Sequence, residues 1–300
     1  MVRSKYSNCL LMISIIIPTY NRAFVISRTL DSVCGQSYSD WECIIVDDHS
    51  TDNTKDIVDD YLRHDKRFMY CMNHRKKGAQ GARNEGVLHA KGDWVLLFDS
   101  DDVMHSDYLE KMEPLMTSSN NMIACYGRMI EEESGKELGI MDRLKGGRVF
   151  KELLQGDCYF TYQATLIRKK CLEAIGYLDE KCPSHQEWDT HLRLSRLYEY
   201  QVIPEVLWDY YVGRGDTISV NKEKHVSGLL YVMTKNIFYY RTVAYRSLLK
   251  KTRMLWEECA AENGLNNRNI TRFKIMMLVP ELSLVLGVRR VKKWTNHFGK

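Results

Sequence analysis

Trp94-Val95-Leu96-Leu97-Phe98-Asp99-Ser100-Asp101-Asp102 sets a run of apolar residues directly before three carboxylates in four positions. A short apolar run that stops at charged turn residues predicts a buried strand. The change at Asp99 predicts that the acids occupy the loop just past the strand's C-terminal end. Carboxylates this close repel one another. A divalent cation is the usual compensation, and hard oxygen ligands suit Mg²⁺ or Mn²⁺. Taken alone, the residues read sooner as a solvated acidic loop capping a helix near Ser106.

The same pattern recurs upstream. Residues 13–17 are a β-branched run ended by Pro18, a first strand, and Ile26, Leu30 and Val33 then predict a helix over 22–36. Residues 42–46 read as a second strand, stopping at Asp47-Asp48. Ser50, Thr51 and Asp52 are N-cap types ahead of the helical face Ile57, Val58, Tyr61 and Leu62. Residues 68–72 read as a third strand. Residues 78–91 read as a helix with Ala82, Val87 and Ala90 inward and Gly92 as its stop. Strands that are apolar throughout, alternating with helices, predict an α/β sheet covered on both faces. In such sheets ligands bind outside the C-terminal strand ends, where both acidic clusters fall.

Downstream the pattern loosens. It predicts a strand over 122–131 with a turn at Ser134-Gly135, a short helix over 149–154 and a helix over 186–200. Residues 201–212 read as extended, an edge strand at best because of the internal Pro204. From Val226 the steps between Leu230, Met233, Ile237, Tyr240 and Ala244 predict one long amphipathic helix.

Pro18-Thr19-Tyr20-Asn21-Arg22 closes the first strand and Asp47-Asp48-His49-Ser50-Thr51-Asp52 the second. An aromatic ring there can stack on a nucleobase, and a carboxylate can accept a base N–H. The same residue types also make ordinary turns and caps, and each loop alone leaves both readings open.

Taken in order, Ser14–Arg22, Trp41–Asp52, Gly81-Ala-Arg-Asn-Glu-Gly86 and Gly92–Asp102 resemble the family 2 glycosyltransferases. Ser184-His-Gln-Glu-Trp-Asp-Thr-His-Leu-Arg-Leu194 resembles that family's acceptor-side motif, with Glu187 where an Asp is common. Gly215-Asp-Thr-Ile-Ser219 also looks familial, with Gly213-Arg214 where many members carry a histidine. The resemblance covers about residues 12–221. It implies a GT-A fold: a Rossmann-like nucleotide-binding half joined to an acceptor-binding half, here with a helical C-terminal extension over 222–300.

The resemblance also implies roles. Pro18, Thr19, Tyr20 and Asp48 would hold the nucleobase, and Arg22, Arg83 and Asp99 would line the ribose and diphosphate, with Arg214 supplying charge. Asp101 would be the main metal ligand, with Asp99 and Asp102 beside it. Glu187 would be the catalytic base and Asp189 its alternative. The implied reaction is an inverting, Mn²⁺- or Mg²⁺-dependent transfer from a nucleotide-sugar, UDP-linked by preference. The acceptor would be a glycan or lipid-linked glycan hydroxyl in cell-surface polysaccharide synthesis. A metal-neutralised diphosphate needs no strong acid to leave, whereas the acceptor hydroxyl needs a base. One base opposite the leaving group gives a single displacement and inverts the anomeric centre. A sugar nucleotidyltransferase would want a glycine-rich, lysine-bearing loop after strand one, which Pro18–Arg22 is not. A catalytically silent nucleotide-sugar or glycan binder would lack the acids or the base.

Composition bounds these readings. The chain has 300 residues, 44% hydrophobic and 27% charged, with a net charge of +4, which gives no argument for a nucleic-acid partner. The nine cysteines include no C-x-x-C pair and read as reduced thiols in a cytosolic protein. The basic-then-apolar N-terminus has no small-residue cleavage site and reads as the approach to a buried strand, with Met12 a candidate start. At the other end, the apolar run 276–288 lies between Arg272, Lys274 and the group Arg289, Arg290, Lys292, Lys293, Trp294. It is too short and interrupted to span a bilayer. Residues 272–294 read either as a segment lying on the inner membrane face or as a packed terminal helix with a solvated basic end.

Overall fold

The computed structural model describes residues 12–213 and 222–261. Arg214 and the segment 272–294 lie outside the described residues. The chain divides into two compact units. One comprises Met1–Phe150, Cys158–Lys181 and Gln186–Gly215; the other comprises Lys151–Asp157, Cys182–His185 and Asp216–Lys300.

In the first unit β1 (Ile13–Thr19), α1 (Ile26–Cys34), β2 (Trp41–Asp47), α2 (Thr54–His64), β3 (Phe68–Met72), α3 (Ala79–His89) and β4 (Trp94–Leu97) alternate. These strands lie in the order β3-β2-β1-β4, all parallel. Every residue of β1, β2 and β4 is buried, which is why their sequences are apolar without alternation. The chain steps outward from β1 to β3 and then returns to the far side of β1. The loops after β1 and β4 therefore diverge at the point where strand order reverses, the usual ligand crevice of such sheets. Gly81 and Gly86 let α3 lie close. A Cβ on Gly81 would stand 1.9 Å from the Lys76 carbonyl oxygen, and one on Gly86 would stand 2.3 Å from the Ile16 side chain.

The sheet continues with β5 (Val103–Met104), β6 (Met122–Glu131), β7 (Glu137–Met141), β8 (Thr165–Arg168) and β9 (Tyr200–Val212). The order is β3-β2-β1-β4-β8-β6-β9-β5, with β7 hairpinned onto β6. β8 runs antiparallel to both β4 and β6, β9 runs parallel to β6, and β5 is antiparallel to β9. Helices α4 (Tyr108–Met112), α6 (Lys169–Ala174) and α7 (Gln186–Ser195) belong to this unit.

Several sequence expectations change. β9 is not an edge strand, because it pairs with β6 on one side and β5 on the other. Pro204 is tolerated because the β6 register shifts between Ile203 and Val206, and β5 reaches only Trp208 and Asp209. α1 begins at Ile26 rather than residue 22. Asn21 is left-handed (φ 52°), and the amides of Asn21, Arg22 and Ala23 donate to Ser50 Oγ, Thr54 Oγ1 and Asp52 Oδ2. Those contacts from the neighbouring loop keep residues 21–23 out of the helix. α7 stops at Ser195, because Tyr200 already opens β9 and is fully buried.

In the second unit α5 (Phe150–Gln155) contributes its residues from Lys151 onward. The single long helix expected from Val226 is three: α8 (Lys222–Lys235), α9 (Ile237–Val243) and α10 (Tyr245–Ala261). Buried Asn236 sits at the first break and donates its side-chain amide to the Val232 carbonyl. The expected apolar face survives the break, since Leu230, Met233, Tyr240 and Ala244 are all buried. Gly228 presses on the Cys182–His185 segment, where a Cβ would lie 2.1 Å from Ser184 Oγ. No described helix is long and apolar enough to cross a membrane.

Candidate active site

The loop leaving β4 brings the carboxylates of Asp99, Asp101 and Asp102 within 4.8 Å of one another. They are not equivalent. Asp99 is held on both oxygens: Arg83 of α3 donates to Oδ1, and Gln163 Nε2 donates to Oδ2 at 2.6 Å. Asp102 is fully buried, taking Gln163 Nε2 at 2.8 Å on Oδ2, with the Tyr211 amide 3.4 Å from Oδ1. Burial, reinforced by the charges of Asp101 and Asp99, lifts its carboxyl well above the usual carboxylate range. Asp101 is partly exposed and lies 3.9 Å from an Arg22 guanidinium nitrogen. The backbone beneath the cluster is pinned from α1: Arg28 donates to the Asp101 carbonyl and Thr29 to that of Asp102. Carboxylates concentrated at a sheet crevice form a donor set fit for Mn²⁺ or Mg²⁺.

Across the switch point lie the first two loops. Pro18 and Thr19 end β1 opposite Val46 and Asp47 of β2. Thr19 is buried, and its hydroxyl has no hydrogen-bond partner. Tyr20 is 44% exposed, and Lys77 Nζ stands 4.8 Å from its ring centre. Asp48 is buried and already engaged, accepting Asn73 Nδ2 at 2.6 Å and the Gly78 amide at 2.8 Å. Gly78 (φ 124°) makes that amide available. Asp48 thus organises the turn into α3 as well as facing the loop of Thr19, whose carbonyl takes the Asp48 amide.

Glu187 lies in the first turn of α7. It accepts the Tyr159 hydroxyl at 2.7 Å and the Tyr162 amide at 3.0 Å. Burial raises its pKa and the Asp99 charge adds to the rise, while Tyr162, Tyr159 and Arg83 oppose it. Its proton affinity is thus raised in part by one member of the acid cluster, Asp99. Asp189, two residues on, is 1% exposed and is bound by Arg193 Nε at 2.9 Å. Arg193 also donates to the carbonyls of Ile175 and Tyr177. The structure therefore brings Glu187 toward the cluster and sets Asp189 into a buried structural ion pair.

Several contributors have no signal in the sequence. Tyr159, Tyr162 and Gln163 come from the irregular segment between α5 and β8. The Tyr162 ring underlies the Arg83 guanidinium at 4.7 Å, and its hydroxyl meets Thr190 Oγ1 and Gln80. Tyr210 of β9 is pushed up to about 12 by burial and by the charges of Asp102, Asp99, Asp101 and Glu187. One hydroxyl thus senses both the acid cluster and the α7 carboxylate. No periodicity marks these residues.

The arrangement belongs to the GT-A class of glycosyltransferase folds. The glycosyl transferase family 2 model matches residues 14–176, and the chain belongs to that family. It is 39% identical to the UDP-Glc:alpha-D-GlcNAc-diphosphoundecaprenol beta-1,3-glucosyltransferase WfgD of Escherichia coli, over 39% of this chain. That match spans 45% of the relative's length, so the chain covers less than half of it. Among solved structures, S. aureus TarS in complex with UDP-GlcNAc superposes with a TM-score of 0.65 at 16% identity, covering 88% of this chain and 79% of TarS. The mannosyltransferase PcManGT of Pyrobaculum calidifontis, in complex with GDP-Man and Mn²⁺, gives a TM-score of 0.60 at 19% identity, covering 95% and 83%. At these identities the structures establish the shared fold.

Proposed function

We propose that this chain is an inverting glycosyltransferase that moves a sugar from a nucleoside-diphosphate sugar to an acceptor hydroxyl in cell-surface glycan synthesis. The observation that carries the reading is the cluster of Asp99, Asp101 and Asp102 at the sheet's switch point, with a further carboxylate, Glu187, near enough for the Asp99 charge to raise its pKa. UDP is the favoured nucleotide, as in the names of WfgD and the TarS complex. A lipid-linked glycan is the favoured acceptor class, by similarity to WfgD. The catalytic machinery lies within residues 12–221, followed by a helical extension. We place the enzyme in the cytoplasm on the reading of its cysteines as reduced thiols.

In this reading Thr19 and Tyr20 receive the nucleobase, the unpartnered Thr19 hydroxyl supplying a polar contact and the exposed Tyr20 ring a stacking face. Arg22 and Arg83 face the diphosphate side. Mn²⁺ or Mg²⁺ held chiefly by Asp101, with Asp102 and Asp99 beside it, would neutralise the departing diphosphate. Glu187 accepts the proton of the acceptor hydroxyl as the new glycosidic bond forms and the bond to the diphosphate breaks. The raised proton affinity of Glu187 brings it closer to the working range of a base. Asp189, clamped by Arg193, supports α7. A single base gives inversion, so an α-linked donor yields a β-linked product.

A panel of nucleotide-sugars with Mn²⁺ tests the reading. One donor class should raise the melting temperature in proportion to concentration and be consumed with release of its nucleoside diphosphate. A panel in which none stabilises the protein and none is consumed refutes it.

A further inference from the structure

Gln163 is 3% exposed and sits between two members of the acid cluster. Its single amide nitrogen donates to Asp99 Oδ2 at 2.6 Å and to Asp102 Oδ2 at 2.8 Å. Both amide hydrogens are therefore directed at carboxylates from the same loop. Its Oε1 is buried and finds no hydrogen-bond partner. A buried carbonyl left in this state is unfavourable, so the orientation must be imposed by what the nitrogen gains. Turning the amide over would aim Oε1 at two carboxylates. The backbone is fixed too, because the fully buried Tyr108 donates its hydroxyl to the Gln163 carbonyl at 2.8 Å.

The neighbouring residues explain why this matters for geometry. The adjacent Tyr162 donates its amide to Glu187 and lies beneath Arg83, which holds the other oxygen of Asp99. Asp99 is thus held on both oxygens by Arg83 and Gln163, and Asp102 by Gln163 and the Tyr211 amide, with Gln163 the one group that touches both acids.

We propose that Gln163 is a positioning residue: its amide clamps Asp99 and Asp102 in a fixed spacing, and this spacing sets the affinity of the cluster for a divalent cation. The proposal rests on the metal reading of the cluster but concerns a residue outside it. Groups that orient metal ligands typically change affinity by roughly 10–100-fold when removed.

The test has a metal-free arm and a metal arm, both using the full chain. In the first, thermal unfolding in chelator is compared for wild type, Gln163→Leu, Asp102→Asn and the double variant. Gln163→Leu keeps the bulk and deletes both donors. It should lower the melting temperature, and Asp102→Asn should restore much of the loss, because the unheld buried acid is what makes the variant unstable. Additive effects of the two substitutions overturn the clamp. In the second arm, free Mn²⁺ is titrated and read by its aqueous paramagnetic signal. Gln163→Leu should weaken binding roughly 10–100-fold, with Gln163→Asn recovering part of it. Wild type and Gln163→Leu binding Mn²⁺ equally overturns the proposal while leaving the metal reading intact. A wild type that binds no Mn²⁺ overturns the metal reading and the proposal's cation claim with it.

Discussion

The two halves of the sheet contribute to one site by different means. In the parallel half, β3-β2-β1-β4, each contribution is a strand end followed at once by its loop: Thr19 and Tyr20 where β1 ends, Asp48 after β2, Asp99 to Asp102 after β4. In the mixed half, β8-β6-β9-β5, contributions come from scattered places: Tyr159 to Gln163 from a loop, Glu187 from a helix start, Tyr210 and Tyr211 from a strand. The first half works by local continuity, and the second by long-range hydrogen bonds that converge on the first half's acids. On the proposed reading, donor binding falls to the strand ends, while the base Glu187 and its restraints are brought to them.

The contrast can be broken most severely at Asp101. Chelation, or Asp101→Asn, should drop transfer to near background while the fold is retained, since removing one of three clustered acids relieves repulsion. Full turnover in excess chelator would sink the metal assignment.

Glu187→Gln should lower transfer by about 10²–10⁴-fold, the range for a positioned base, with nucleoside diphosphate affinity little changed. The wild type should also show a pH limb. The raised pKa of Glu187 means activity falls as pH drops through a point above the usual glutamate value. Glu187→Gln should lack that limb; a limb that persists in the variant assigns the titration elsewhere.

Asp189→Asn sharpens the comparison, because the residue is two positions away on the same helix yet should act on stability. Breaking a buried pair by removing one partner costs about 3–5 kcal/mol, here by leaving Arg193 uncompensated. Denaturant unfolding should show that loss, while transfer per folded molecule stays near wild type. A stable but inactive variant would move the base to Asp189.

Asp48→Ala should weaken UDP binding by roughly 1–3 kcal/mol, the cost of an unmet polar contact. It should also lower the melting temperature, since the Gly78 amide loses its acceptor. Unchanged affinity by calorimetry would confine Asp48 to its structural role.

An effect confined to acid pH concerns His191 of α7. It is fully buried, and burial depresses its pKa to about 3. Between the ordinary histidine value and that point the unfolded chain binds the extra proton, so stability is full above about 6.5 and is lost as pH falls. The slope from this group is at most about 1.4 kcal/mol per pH unit. His191→Phe should flatten it in acid unfolding curves.

The parallel half was legible because its information is short-range. β3 and β6 lie where the sequence patterns end, and β1, β2 and β4 differ by a residue or two at their boundaries. β5, β8, α4 and α6 were not legible: two to six residues are too few to display a period. Pro204 pointed to an edge strand, and that expectation failed, because the register shift that accommodates the proline is a property of β6 and β9 together. Likewise nothing in Tyr159-Phe160-Thr161-Tyr162-Gln163 announces a clamp, because its meaning depends on where Asp99 and Asp102 end up. The sequence ranks Glu187 ahead of Asp189 by resemblance alone, and the structure adds that the two have different surroundings, Asp189 being paired with Arg193.

The slotting of β9 between β6 and β5 has a consequence for the order of events during synthesis. The parallel half is made of consecutive strand–helix steps, each able to pair with a neighbour already made. β5 cannot enter the sheet until β9 exists, and a backbone amide beside the buried Asp102 carboxylate comes from Tyr211, 109 residues later. Closing so long a loop is slow compared with local pairing. A nascent chain emerging from the ribosome therefore carries a largely assembled nucleotide half whose acid loop is still uncovered. Chaperones and proteases would meet that intermediate, and pulse-labelled hydrogen exchange should find β1 to β4 protected before β9.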